Sequence, residues 1–210
     1  MTILAIGGAV VKTALDELNS AVATGRIEML IHNGASLFHD FQRATDDKLA
    51  DMGMHSYPVE ALLDNKELDR PASDLVWKWR RGRPAPVESV TRMCEDEDIP
   101  VLCFSGMGTD FWHLFDNNWE LFARTSREHF YTLVDRMSDG PFHYLLMGSA
   151  VIHPEVFRSA LSVARPRVFT ADVVDFKEMY RPRTRVACYG KYHQIDFKSF
   201  LTEWLKGAAQ

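Results

Sequence analysis

Leu4-Ala5-Ile6-Gly7-Gly8-Ala9-Val10-Val11 and, further on, Met29-Leu30-Ile31-His32-Asn33-Gly34-Ala35-Ser36-Leu37-Phe38-His39-Asp40 are two apolar runs that each stop at glycine and pass into an amphipathic segment. A short apolar strand that ends in glycine and turns into a helix is how α/β proteins build a ligand-binding edge at the carboxyl ends of a parallel sheet. The second copy adds Asn33, Ser36, His39 and Asp40, more polar chemistry than a connecting turn needs.

Working outward, Val10, Val11, Leu15, Leu18 and Val22 recur at helical spacing up to Thr24-Gly25, and Ile27 to Ile31 reads as a second strand. Gly34 to Arg43 starts the next helix, with Asn33 as its N-cap. The pattern weakens from about 45 to 86, where Pro58, Pro71, Pro84 and Pro86 punctuate short polar segments, so this stretch reads as a helical excursion. A helix over 87–96 leads to strand 99–104 and the turn Ser105-Gly106-Met107-Gly108-Thr109-Asp110. Helix 124–137, strand 142–147, turn Gly148-Ser149 and helix 154–163 repeat the unit. Strand 167–173, a possible sixth strand at 185–189 and a helix over 197–205 close the chain. Strands alternating with helices predict a doubly wound, mostly parallel sheet with helices on both faces, a Rossmann-like α/β architecture. Right-handed crossovers would then bring the glycine turns to one edge.

At 210 residues with 46% hydrophobic composition, the chain is long enough for one well-buried core, so one domain is expected over 1–210. A formal net charge of −5 argues against a general nucleic-acid or anionic-membrane surface. Cys94, Cys103 and Cys188 are odd in number and far apart, which suggests neither a disulfide framework nor a metal pair, and fits a reducing, cytoplasmic location. No apolar stretch reaches the length of a membrane helix. Trp77-Lys78-Trp79-Arg80-Arg81-Gly82-Arg83-Pro84 could hold a nucleotide or RNA, but cations followed by Gly and Pro read better as a helix C-terminus. Glu95-Asp96-Glu97-Asp98 reads as a solvated corner.

Four turns should line the edge: Gly7-Gly8, Asn33-Gly34-Ala35-Ser36, Ser105-Gly106 with Gly108, and Gly148-Ser149-Ala150. Glycine lets backbone approach a phosphate, and each following helix aims N–H groups at it, although no turn spells GxGxxG. His39 and Asp40 have two readings, as partners of a ribose or cationic substrate, or as a buried histidine and a helix-dipole carboxylate. His153, before Pro154, stands the same way. The eight histidines show no HxH or HExxH spacing, so no metal is expected. Ser105 lacks a nucleophile elbow. Lys191, within Cys188-Tyr189-Gly190-Lys191-Tyr192, is either an exposed strand-end lysine or a partly desolvated amine suited to imine formation.

With these residues in place, the chain resembles the deoxyhypusine synthase-like superfamily. The carriers are Gly7-Gly8-Ala9-Val10-Val11, Asn33-Gly34-Ala35-Ser36-Leu37-Phe38-His39-Asp40, Ile99 to Phe104 with Gly108-Thr109-Asp110, Leu145 to His153, and Tyr189-Gly190-Lys191. The resemblance implies NAD at the strand edge, held by Asn33, Gly34, Ser36 and Asp40, and the reading of the turns adds Gly7, Gly8, Ala35, His39, Ser105, Gly106, Gly148 and Ser149 as cofactor-binding candidates. The resemblance also implies catalytic roles for Lys191 as imine lysine and Asp110 on a polar substrate group, with His153 as a further catalytic candidate at the fourth turn. A small amine or amino-acid substrate and a homo-oligomer, dimer or tetramer, follow from the same resemblance. The chain departs from the family's pattern at Gly148-Ser149-Ala150 and His153-Pro154, where the family has three glycines and Lys-His-His. The opening motifs also resemble the NAD-binding domain of ornithine cyclodeaminase and arginine dihydrolase enzymes.

Two functions are therefore expected to compete: an NAD-dependent enzyme, transferase-like or cyclodeaminase-like, that oxidises an amine or amino acid to an imine, and a catalytically degenerate module of the same fold that binds a nucleotide or a partner.

Overall fold

The computed structural model describes residues 1–45, 89–105 and 119–207. The predicted excursion, the Trp77 to Arg83 segment, Gly106 and Asp110 lie outside them. Strand β1 (Thr2–Ile6) is followed by helices α1 (Gly8–Thr13) and α2 (Leu15–Val22), β2 (Ile27–Asn33) and α3 (Gly34–Thr45). Helix α4 (Val90–Asp96) enters β3 (Val101–Phe104), and α5 (Trp119–Ser138) crosses to β4 (Phe142–Met147). Helix α6 (Ile152–Ala164), β5 (Phe169–Asp175), α7 (Tyr180–Arg185), β6 (Tyr192–Gln194) and α8 (Phe197–Lys206) complete the chain.

All six strands pair in parallel in the order β3-β2-β1-β4-β5-β6. The strand order reverses between β1 and β4, and that switch point is where open parallel sheets hold ligands, outside the carboxyl ends of their strands. Side-chain alternation splits the core into two layers. Leu4, Ile6, Leu145 and Met147 face α1, α2, α4 and α8, through Val10, Leu18, Cys94 and Leu201. Ile3, Ala5, Tyr144 and Leu146 face α5 and α6, through Leu133, Met137 and Phe157. Helices thus cover both faces, which is why the central strands read as continuous apolar runs.

Two sequence expectations change. The single helix expected after β1 is broken at Ala14, whose φ of −144° and ψ of 35° leave the helical region, so α1 and α2 pack as separate short helices. The possible sixth strand at 185–189 is instead the end of α7 and a turn of 3₁₀ helix at Ala187–Tyr189, and the sixth strand is Tyr192–Gln194. The reason lies at Gly190: a Cβ there would stand 2.4 Å from the Ala171 carbonyl oxygen, so the chain can press against β5 and begin pairing only from this glycine onward.

Candidate functional site

Register aligns the carboxyl edge residue by residue. Ile6 is level with His32 on one side and Met147 on the other, so the next residues, Asn33, Gly7 and Gly148, form a row across β2, β1 and β4. Each of the last two supplies space the others use. A Cβ on Gly7 would lie 1.8 Å from the Gly148 carbonyl oxygen, while Gly7 N–H donates to the Met147 carbonyl at 2.8 Å. Gly148 takes φ of +62°, a left-handed conformation that favours glycine, with Phe197 and Val10 crowding its Cβ position. Gly8 serves helix packing, because a Cβ there would meet His39 Cδ2 at 2.8 Å and Ala35 Cβ at 3.1 Å.

Asn33 closes a reciprocal cap on α3. Its Oδ1 accepts from Ser36 N–H at 2.8 Å, and Ser36 Oγ accepts from Asn33 N–H at 3.0 Å. This is a capping box with serine in place of the usual Glu or Gln. Because a backbone N–H can only donate, the bond from Ser36 fixes the amide orientation of Asn33. Its Nδ2 is therefore the donor end of the group and reaches across Gly7 to donate to Ser149 Oγ at 3.4 Å.

Beneath the row lies a buried polar network. His32 Nδ1 stands 2.9 Å from Ser36 Oγ, and its Nε2 3.2 Å from Thr91 Oγ1. Burial drives the His32 pKa down to about 4, against an opposing pull from Asp40, so the ring is neutral at physiological pH. Asp40 accepts from the Ser89 hydroxyl at 2.8 Å and from the N–H groups of Val90 and Thr91 at 3.0 Å each. The carboxylate therefore caps α4, a helix distant in sequence. Cys94, in the same helix, has its thiol pKa raised to about 12, by burial first and the Asp40 charge second, which leaves it unreactive.

The predicted site residues separate into groups. Gly7, Asn33, Gly148 and Ser149 come together at the switch point, and Gly8, Gly34 and Ala35 flank them on α1 and α3. Ser36, His39 and Asp40 are buried, and Ser36 and Asp40 spend their hydrogen bonds inside the protein. Ser105 follows β3, half-buried, at the far side of the edge. His153 is fully buried in the first turn of α6, where burial lowers its pKa to about 4.

Lys191 is elsewhere. Tyr192 pairs with Val173, which pairs with Leu146, which pairs with Ala5. That register puts Lys191 three strands from β1, about 14 Å across the sheet, and back from the carboxyl edge. Its N–H donates to Asp172 Oδ1 at 2.7 Å, and His193 Nε2 lies 3.4 Å from Asp172 Oδ2, so Asp172 anchors the start of β6. Sequence reasoning missed Asp172 because it reveals its role only once β5 and β6 pair. It also missed Ser89 and Thr91, although Ser89 ahead of an apolar helical run carries the usual N-cap signal.

Among the described residues no group of three or more His, Cys, Asp or Glu side chains is placed to hold a metal ion. No helix among them is long and apolar enough to cross a membrane.

No family model and no curated protein matches the chain. Solved structures do. An arginine dihydrolase of the ornithine-ammonia cycle in cyanobacteria, ArgZ, superimposes with a TM-score of 0.63 at 15% identity over 99% of this chain and 29% of its own. AgrE, solved in a ternary complex with ornithine and NAD+, gives 0.66 at 15% identity over 99% of this chain and 30% of its own. An LOR/SDH-type protein from Methanococcus maripaludis S2 gives 0.59 at 16% identity, over 99% of this chain and 60% of its own. The chain thus spans about three tenths of the length of the first two. The first of these structures carries the arginine dihydrolase name of the second resemblance drawn from the sequence. At these identities the likeness shows the fold alone: a six-stranded, Rossmann-like α/β sheet shared with these proteins.

Proposed function

We propose that the chain binds NAD across the carboxyl edge at the β1/β4 switch point and serves as the nucleotide-binding part of a protein that acts on a small amino acid or amine. One observation carries the proposal: strand register puts Asn33, Gly7 and Gly148 in a single row where the strand order reverses. The fold likeness to AgrE, whose solved complex holds ornithine and NAD+, supports both the cofactor and the substrate class.

One feature of the residues suits a dinucleotide: the Asn33 amide presents an N–H donor level with Gly7 and Gly148, whose Cβ positions are taken up by the protein's own atoms so that the two turns pack closely. Asn33, Gly34 and Ala35 would hold the ribose side, and Gly148 and Ser149 the side toward β4. Bound there, NAD would accept a hydride from a carbon next to nitrogen. Asn33 and Ser149 orient and bind, while His32, Ser36, Thr91 and Asp40 hold Asn33 and α4 in place from below.

The placement of Lys191 and His153 favours the nucleotide-binding reading over a complete imine-transfer site within this chain. Lys191 stands at the start of β6, two strands beyond the Gly148 end of the row and back from the carboxyl edge, and His153 has no solvent exposure. Titration of the purified chain with NADH, followed by nucleotide fluorescence, tests the proposal. Saturable binding is expected, and Ala150→Glu, which adds a carboxylate at the β4 turn, should weaken it at least about tenfold through repulsion of the phosphates. No saturation at millimolar NADH would overturn the proposal.

A further inference from the structure

In open dinucleotide-binding sheets, a carboxylate at the end of the second strand accepts from the ribose 2′-hydroxyl and repels a 2′-phosphate. In this chain the end of β2 is Asn33, level with Gly7. The cap on α3 takes Asn33 Oδ1 and Ser149 Oγ takes one hydrogen of its Nδ2, so the group the residue has left for a ligand is the second Nδ2 hydrogen, a donor. A donor suits a phosphate oxygen as well as a ribose oxygen, whereas a carboxylate suits only the hydroxyl. The nearest carboxylate on the following helix, Asp40, is buried beneath and bonded to Ser89, Val90 and Thr91.

We infer that Asn33 sets the cofactor choice of this edge, and that the site takes a 2′-phosphorylated nicotinamide dinucleotide about as well as the unphosphorylated one. The inference rests on the proposed nucleotide site and specifies its selectivity. Asn33→Asp is the direct probe, because an aspartate keeps the cap: one carboxylate oxygen still accepts from Ser36 N–H while the other replaces the donor with a charged acceptor. Asn33→Ser keeps a capping side chain and adds no charge, and so separates selectivity from any loss of folding.

The test is a pair of fluorescence titrations, NADH and NADPH, on the wild-type chain and both variants, with circular dichroism on each to confirm the fold. The expected wild-type dissociation constants lie within about tenfold of one another. Asn33→Asp should shift their ratio at least about tenfold toward NADH by weakening NADPH, and Asn33→Ser should leave the ratio near the wild-type value. A wild-type preference for NADH beyond about a hundredfold, or an unchanged ratio in a folded Asn33→Asp chain, overturns this assignment alone. Binding of neither nucleotide at millimolar concentration overturns it together with the reading beneath it.

Discussion

His153→Leu should make the protein more resistant to acid. The His153 ring is fully buried and neither nitrogen finds a hydrogen-bond partner among the described residues. The His32 backbone lies close enough only to offset part of the effect of burial, which moves the pKa from 6.5 to about 4. The unfolded chain therefore takes up the proton at a higher pH than the folded one. The stability at stake is fully present above about pH 6.5, declines as the pH is lowered, and is lost by about pH 4. A gap of this size, at about 1.4 kcal/mol per pH unit, amounts to about 3.5 kcal/mol as an upper bound. Leucine is close to histidine in volume and removes two buried nitrogens, so at pH 7.5 the variant should lie within about 1 kcal/mol of wild type. Urea unfolding at pH 7.5, 6, 5 and 4.5, followed by tryptophan fluorescence, should show the variant gaining steadily on wild type as the pH falls. Parallel stability curves across that window would refute the reasoning. His32, with its pKa also lowered to about 4, contributes with the same sign, but His32→Gln should additionally lose stability at neutral pH because Ser36 and Thr91 lose a partner.

Three further outcomes follow from the geometry. Gly7→Ala should destabilise the chain by about 3 kcal/mol, seen as a fall in melting temperature, because its Cβ would overlap the Gly148 carbonyl oxygen; an unchanged melting temperature would show that the turns can separate. Asp40→Ala should cost about 2 to 4 kcal/mol in urea unfolding by leaving Ser89 and the first N–H groups of α4 without their acceptor, and Asp40→Asn should cost less, since an amide oxygen can still accept. Lys191→Ala should leave NADH affinity within about twofold of wild type, given its distance across the sheet; a large loss would mean that the nucleotide extends over β6.

The parallel sheet was legible because its two central signals are local. An apolar run ending at Gly7 or at Asn33-Gly34 encodes strand, turn and helix within a few residues. The Ala14 break and the sixth strand were not legible, because neither depends on local pattern. Val11 and Leu15 keep helical spacing straight across the break at Ala14, and β6 is set by the close approach of Gly190 to β5. The same distinction runs through the site. Asn33 could be read as a cap from its position, but the polar residues after it could not be told apart by chemistry alone. Ser36 and Asp40 look equally suited to a ligand, yet they turn inward, and for Asp40 the deciding partner is a helix that begins at Val90. Lys191 read as a possible amine nucleophile because sequence carries no record of which end of a strand a residue occupies relative to a distant turn. Register supplies that record.

The most direct test of a nucleotide seated at the switch point is hydrogen–deuterium exchange of the chain with and without saturating NADH. Slowed exchange confined to peptides covering residues 7–10, 33–37 and 148–151 is the predicted result. Protection centred on residues 190–196, or none at any of the three turns while NADH is bound, would contradict it.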